Sequence, residues 1–283
     1  MGGYIRRRAR RILPPFYAAF VLALILVAVE QFVLRVPRDA GNGFNFTNIT
    51  AAALISHIVL LQNLKPAWNV AAYPFWSIAT EWHIYFYYPL ILLPVMRRWG
   101  LPAGLVASVV LGRMLSGLLD HVFPHNIAFP YFIGLFALGA ATAVVSHPGS
   151  VHRDKPQRYV PLMLLSLALV ILIKGEIDYV VGIATCCLLA YYTREVTADG
   201  TLDDPAAHHW LENRPLVWLG GFSYTLYLIH VPLLQLIQTA LPRTMSATPS
   251  ALIMLACVPL IIGAAYAFHC VFERPFMNLK PRV

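Results

Sequence analysis

Residues Phe75–Leu90 read FWSIATEWHIYFYYPL. The stretch is apolar and aromatic enough for a membrane helix, yet it carries Glu81 close to its N-terminal end, with His83 just behind. A charged side chain at the centre of a lipid-facing helix costs roughly 2.5–3.5 kcal/mol on insertion scales. Glu81 is therefore expected to face a protein interior or a wet cavity. Tyr85 and Tyr88 follow at i+4 and i+7 and share its face. With Trp76 taken as the marker of the outer interface, Glu81 lies about 7–8 Å deeper at helical rise. The plainer reading is a carboxylate near the interface that reaches water.

The rest of the chain supports a membrane setting. Of 283 residues, 59% are hydrophobic and only 12% charged, where a soluble domain carries about 25% charged. Mean hydropathy is +0.65. So much apolar surface requires lipid. The net charge of +8, from 21 Lys and Arg against 13 Asp and Glu, comes from residues lying between apolar segments. There they set orientation and meet anionic headgroups. No basic, aromatic-interleaved domain is present to bind nucleic acid. Cys186, Cys187, Cys257 and Cys270 all lie in apolar segments without metal-ligand or disulfide spacing, so no metal is expected.

Apolar segments recur at Ile12–Leu34, Phe75–Val95, Leu101–Leu119, Ala128–Val145, Tyr159–Ile173, Ile177–Tyr192, Pro215–Leu241 and Ala251–Val271. The fold class expected is all-α, a polytopic transmembrane bundle of about eight crossings. Thr50–Asn63 is too short to span and reads as one interfacial or re-entrant helix. With the N-terminal RRRARR cluster in the cytoplasm, RRWG, HPGSVHRDKPQR, the Thr193–Arg214 linker and the tail fall on the same side. That distribution of Lys and Arg predicts cytoplasmic termini and a multi-pass protein of the inner membrane. Residues 1–283 form one domain on this reading. Two sequons, Asn45-Phe-Thr47 and Asn48-Ile-Thr50, would face outside.

Three further features bear on chemistry. Arg113, in Leu101–Leu119, is expected near the depth of Glu81. Pairing with it would make Glu81 structural, whereas its absence would leave desolvation to push Glu81 toward a general base. In Trp218–Leu234, WLGGFSYTLYLIHVPLL, the residues Ser223, Tyr227 and His230 recur at i, i+4 and i+7 and form a polar stripe. Such a stripe is a cavity wall or a set of hydrogen-bonded packing residues. In YIRRRARRILPPF, Arg7 with Arg10 and Arg8 with Arg11 lie three apart on one helix face, a fork suited to phosphate. The cluster also serves as a topology signal, and Pro14 and Pro15 suit a helix start.

Taken in order, these stretches resemble the membrane-bound acyltransferase 3 family. RARRILPPF matches its Arg-x-x-Arg before an apolar helix. FWSIATEWHIYFYYPL matches its Trp-Ser-Leu-x-x-Glu helix, with Ile78 in place of Leu. GGFSYTLYLIHVPLL matches its Ser-Tyr segment, and FERPF its closing Glu-x-Pro.

The resemblance implies a bundle of about ten helices that moves an acyl group, commonly acetyl, from cytoplasmic acyl-CoA to a hydroxyl on a glycan or lipid-linked acceptor. It implies acyl-CoA as the donor substrate and no bound cofactor. Arg8 and Arg11 match the pair that meets acyl-CoA. Glu81 matches the glutamate of the Trp-Ser helix and is taken, with His230, as the catalytic candidate. Trp76, Ser77, Tyr85, Arg113, Ser223, Tyr224 and Tyr227 are the substrate-binding candidates.

The family also begins with two further helices bearing an Arg-x10-His whose His is expected to be catalytic. Here Met1 stands almost directly before the arginines, so the domain reads as N-terminally shortened. A second acid and a Gln usually follow the glutamate, where this chain has Trp82 and His83. The rival expectations are a transporter or flippase of a glycan or lipid intermediate, and an inactive homologue acting as a partner subunit.

Overall fold

The computed structural model describes residues 2–35, 49–146, 177–194, 213–242 and 244–277. Among the described residues every regular element is helical and there is no strand. Tyr159–Ile173, both sequon asparagines and nearly all of the Thr193–Arg214 linker lie outside them.

The first helix, α1, covers Gly2–Ala28 and continues through a wide turn, Val29–Val33. It starts well before Pro14 and Pro15 rather than at them. Proline removes the hydrogen bond to the carbonyl four residues back. Here those carbonyls belong to Arg10 and Arg11, both exposed at the basic end, so their loss is not buried. Ile12, Phe16, Ala19, Phe20, Ala23, Val27 and Glu30 are buried along one face. Val21, Ile25 and Phe32 are exposed on the other. A helix apolar on both faces needs lipid on the open side.

Next comes α2, Ala51–Ile58, capped by the Thr50 hydroxyl, which accepts from the Ala53 amide at 3.1 Å. At about 12 Å it cannot span a membrane, as its sequence led one to expect. The helix α3, Phe75–Tyr87, runs through a wide turn, Tyr88–Leu92, into α4, Leu93–Val122. The run counts 48 residues, more than twice the roughly 20 that one crossing needs. Gly100, at φ 86° and ψ 173°, interrupts it, a conformation that glycine alone adopts freely. The break falls at RRWG, where the sequence separates two apolar segments.

Two further helices, α5 (Phe132–Ser146) and α6 (Ile177–Arg194), pack on each other. The expected continuous helix over Pro215–Leu241 is instead α7, Arg214–Gly221, and α8, Ser223–Ala240, bent by 75° at Phe222. Phe222 is buried there, a large ring that anchors the corner. Beyond it α9, Ala247–Ala256, and α10, Val258–Phe268, meet at 40°. A wide turn, His269–Glu273, and a short 3-10 turn, Arg274–Phe276, close the described chain. Among the described residues two runs, Gly2–Val33 and Phe75–Val122, are long and apolar enough to cross a membrane, and the number reaches four if each bent pair is one span. The expected eight crossings are therefore matched only in part.

The contacts divide into two compact units. The first holds residues 1–86, 119–128 and 218–283. Its core is built on Phe16, Phe20, Phe75, Phe222, Leu228 and Ile229. Here α1 and α8 run parallel: the Tyr224 hydroxyl donates to Ile12 O at 3.1 Å, and farther along Gln235 and Thr239 donate to Glu30. The helix α3 runs antiparallel to α1, with Phe75 against Phe16 and Phe20 and Tyr85 against Tyr4. In the second unit, residues 87–118 and 129–217, Tyr179 donates to Tyr131 O and Tyr131 to Asp178, both at 2.7 Å.

Candidate active site at the arginine end of α1

The basic cluster, Arg6 to Arg11, occupies the second and third turns of α1, so its side chains fan out from one short stretch of helix. Arg7, Arg8 and Arg11 line a pocket of about 360 Å³ together with Tyr4, Phe276 and Met277. Small-molecule sites usually fall between about 300 and 1,000 Å³. Among the described residues none of the three guanidinium groups has a carboxylate partner. Three like charges packed together repel, and a bound anion would relieve them. The Arg8 guanidinium lies 4.8 Å from the centre of the Tyr85 ring and 5.5 Å from that of Tyr4. These cation–π contacts fix its direction.

Tyr85 carries the link inward. Its hydroxyl donates to Oε1 of Glu81, one turn earlier on α3. Glu81 is partly buried and Tyr85 buried. The Tyr224 phenol lies within electrostatic reach of Glu81, Tyr85, Glu273 and Arg11. Residues from four separate stretches therefore converge: Arg8 and Arg11, Glu81 and Tyr85, Tyr224, and Glu273.

This location differs from the one read off Trp76. The start of α3 meets Phe16 and Phe20, near the middle of the first helical run, in a core that also takes in Leu60, Val70, Ala71 and Ala72. Glu81 accordingly sits toward the arginines, not in the half remote from them. Trp76 lies at the same mid-level, partly buried, with its carbonyl accepting from Thr80.

The polar stripe on α8 splits in role. The Tyr227 hydroxyl pairs with Ser77 Oγ at 2.6 Å, joining α8 to the first turn of α3. Ser223 is exposed and donates to Gly220 O across the corner with α7. His230 places Nδ1 2.8 Å from Tyr227 O and 3.1 Å from Leu226 O. Among the described residues it makes no bond to Glu81. Arg113 belongs to the second unit, where its guanidinium lies 6.0 Å from the ring centres of both Tyr131 and Tyr179.

Sequence reasoning missed the far wall of the pocket. Glu273, 1% exposed, accepts from Thr225 Oγ1 at 2.5 Å and pairs with His269 Nδ1 at 2.7 Å. This cluster ties the chain end to α8 and so places Phe276 and Met277. The available signal was an acid closing an otherwise apolar run, in FERPF. Chemically, the assembly offers cations for an anionic ligand, beside a carboxylate whose partner is a phenol.

Comparison with known proteins bears on what that chemistry serves. Residues 1–270 match the family model described as an acyltransferase domain. Acyltransferase MdmB of Streptomyces mycarofaciens is 24% identical over 305 residues, which cover 98% of this chain and 74% of that protein. O-acetyltransferase OatA of Staphylococcus aureus is 22% identical over 255 residues, 83% of this chain and 41% of that protein. This chain thus spans less than half of OatA. No solved structure matches it.

Proposed function

The chain belongs to the membrane acyltransferase 3 family, and from that premise we propose that it moves an acyl group, acetyl in the simplest case, from acyl-CoA to an acceptor hydroxyl. The donor is held at the arginine pocket on the cytoplasmic side of the inner membrane. The acceptor is a glycan or a lipid-linked molecule, reached from the outer side. One observation carries this reading: Arg8 both lines the pocket and packs on Tyr85, whose hydroxyl engages Glu81. An anion-binding mouth and a carboxylate are thereby joined within one turn of α3. Similarity to OatA, an O-acetyltransferase, supports oxygen as the acceptor atom and acetyl as the group.

In this mechanism Arg7, Arg8 and Arg11 hold the donor phosphates by charge-assisted bonds, against a wall of Tyr4, Phe276 and Met277. The acceptor oxygen attacks the thioester carbon, the C–O bond forms and the C–S bond breaks. Glu81 takes or orients the hydroxyl proton, Tyr85 holds its carboxylate in place, and the departing thiolate gains a proton. General base assistance of this kind contributes typically about 10²–10⁴-fold.

The test uses the full protein in lipid nanodiscs with acetyl-CoA as ligand. Removing one charge-assisted bond costs about 1.5–3 kcal/mol, so Arg8→Ala and Arg11→Ala should each weaken binding roughly 10- to 150-fold. Glu81→Gln should keep the donor affinity and abolish alkali-labile acetyl transfer. Unchanged acetyl-CoA affinity in both arginine variants sinks the donor site. Transfer at the wild-type rate in Glu81→Gln removes Glu81 from the chemistry, and acceptor movement independent of acetyl-CoA favours a transporter.

A further inference from the structure

Residues 51–72 face the wrong way for a water-soluble helix and loop. Ile55, Ile58 and Val59 are at least half exposed, whereas Ser56, His57, Gln62 and Asn63 are all but fully buried. That inverted polarity suits a segment whose outer face meets lipid. Its place along α1 agrees. Tyr17 donates to Ile58 O at 2.7 Å, and the Phe20 ring stacks on His57 at 4.3 Å and 4°. Tyr17 stands nine residues from Arg8 and thirteen from Glu30, about 14 and 20 Å along the helix. His57 and Ile58 therefore lie level with the middle of the Gly2–Val33 run, as a re-entrant segment would. Irregular backbone at such a depth is tolerated only where it is enclosed in protein or lines a watery cavity.

Three amide oxygens in this segment are buried with no hydrogen-bond partner: Gln62 Oε1, Asn63 Oδ1 and Asn69 Oδ1. All three are acceptors. The His57 ring beside them is held by the backbone carbonyls of Ala53, 2.9 Å from Nδ1, and Val70. The three amides are pinned by their nitrogens: Gln62 to Phe75 O at 2.9 Å, Asn63 to Thr80 Oγ1 at 3.0 Å, and Asn69 to Tyr73 O at 2.9 Å. Buried polar atoms are rarely left unpaired, and each exception calls for a reason. Leu60 at φ 59° and Ala71 at φ 70° flank the amides in left-handed conformations. Strain of that kind in non-glycine residues gathers at functional sites. The segment also shares the first turn of α3 with the Ser77–Tyr227 pair, since Gln62 bonds Phe75 O and Tyr227 reaches Pro74 O.

We propose that this re-entrant segment is the acceptor-binding element, which recognises a polyhydroxylated, uncharged group such as a sugar through its oriented amide oxygens. An acceptor rich in O–H donors supplies what these atoms lack. The inference rests on the acyltransferase reading for its purpose. It also explains how an acceptor from the outer side approaches Glu81, which lies toward the arginines. Because these atoms are buried, an acceptor reaches them only when the segment opens toward the outer side.

The test is cysteine accessibility in the full protein, in cells, with native cysteines changed to serine. Asn69→Cys and Gln62→Cys are labelled with a membrane-impermeant methanethiosulfonate reagent applied outside, with exposed Lys65→Cys as the reference. Both positions should label from outside, and glycerol, glucose or N-acetylglucosamine should slow labelling several-fold while leaving Lys65→Cys unaffected. Failure of both positions to label, labelling that no polyol slows, or protection by potassium chloride instead of polyols would each overturn the proposal. The affinity of the same variants for acetyl-CoA is read in parallel. It should stay at the wild-type value, so failure here is distinguishable from failure of the donor site.

Discussion

Replacing Tyr85 by Phe separates binding from chemistry. Tyr85 does two things with one side chain. Its ring carries the Arg8 guanidinium at 4.8 Å, and its hydroxyl donates to Glu81. Tyr85→Phe keeps the ring, so the cation–π contact, about 0.5–2 kcal/mol, survives. The lost bond has a charged acceptor and contributes about 1.5–3 kcal/mol. If Glu81 needs that bond to hold its reactive orientation, transfer should fall by roughly 10- to 150-fold, at about 1.4 kcal/mol per decade. The affinity for acetyl-CoA should change less than about threefold, because the retained ring still orients Arg8. The assay feeds labelled acetyl-CoA to membranes containing the full protein, counts acetate released by alkali, and measures donor affinity on the same preparation. Loss of donor affinity with transfer per bound donor unchanged would refute the division of labour. So would a variant that transfers at the wild-type rate.

Two further predictions concern packing, one in each unit. Glu273→Ala strips Thr225 and His269 of a shared buried acceptor and should cost about 1–3 kcal/mol; a lower melting midpoint, with a smaller loss in Glu273→Gln, checks it, and an unshifted midpoint in Glu273→Ala refutes it. In α5, a Cβ on Gly134 would fall 2.4 Å from the Tyr179 hydroxyl, whereas one on Gly139 meets nothing within 4 Å. Tyr179 is 1% exposed and its hydroxyl is bound to Tyr131 O, so Gly134→Ala should destabilise by about 1–3 kcal/mol and Gly139→Ala should not, as thermal melts of the two variants would report.

Much of the site was legible because its parts are local. The Glu81–Tyr85 bond follows from a spacing of four on one helix, and the fork of Arg8 and Arg11 from a spacing of three. The short helix after Thr50 was legible from its length, and the boundary at RRWG from a glycine between two apolar runs. The corner at Phe222 was not, because the segment on both sides is equally apolar and helical in pattern. Nor was the path of α1 through Pro14 and Pro15, which depends on those freed carbonyls lying at an exposed, basic end.

The sequence by itself determined that this chain lives in lipid, that its helices carry a few costly polar groups, and which of those groups share a helix face. Composition and short-range periodicity suffice for that, since both follow from helical geometry and the cost of burying charge. Only the tertiary structure decided that α3 starts against the middle of α1, that Ser77 meets Tyr227, and that Phe276 and Met277 wall the arginine pocket. Those contacts join residues from 59 to more than 260 positions apart. Nothing in a helical repeat records which distant turn a side chain will meet.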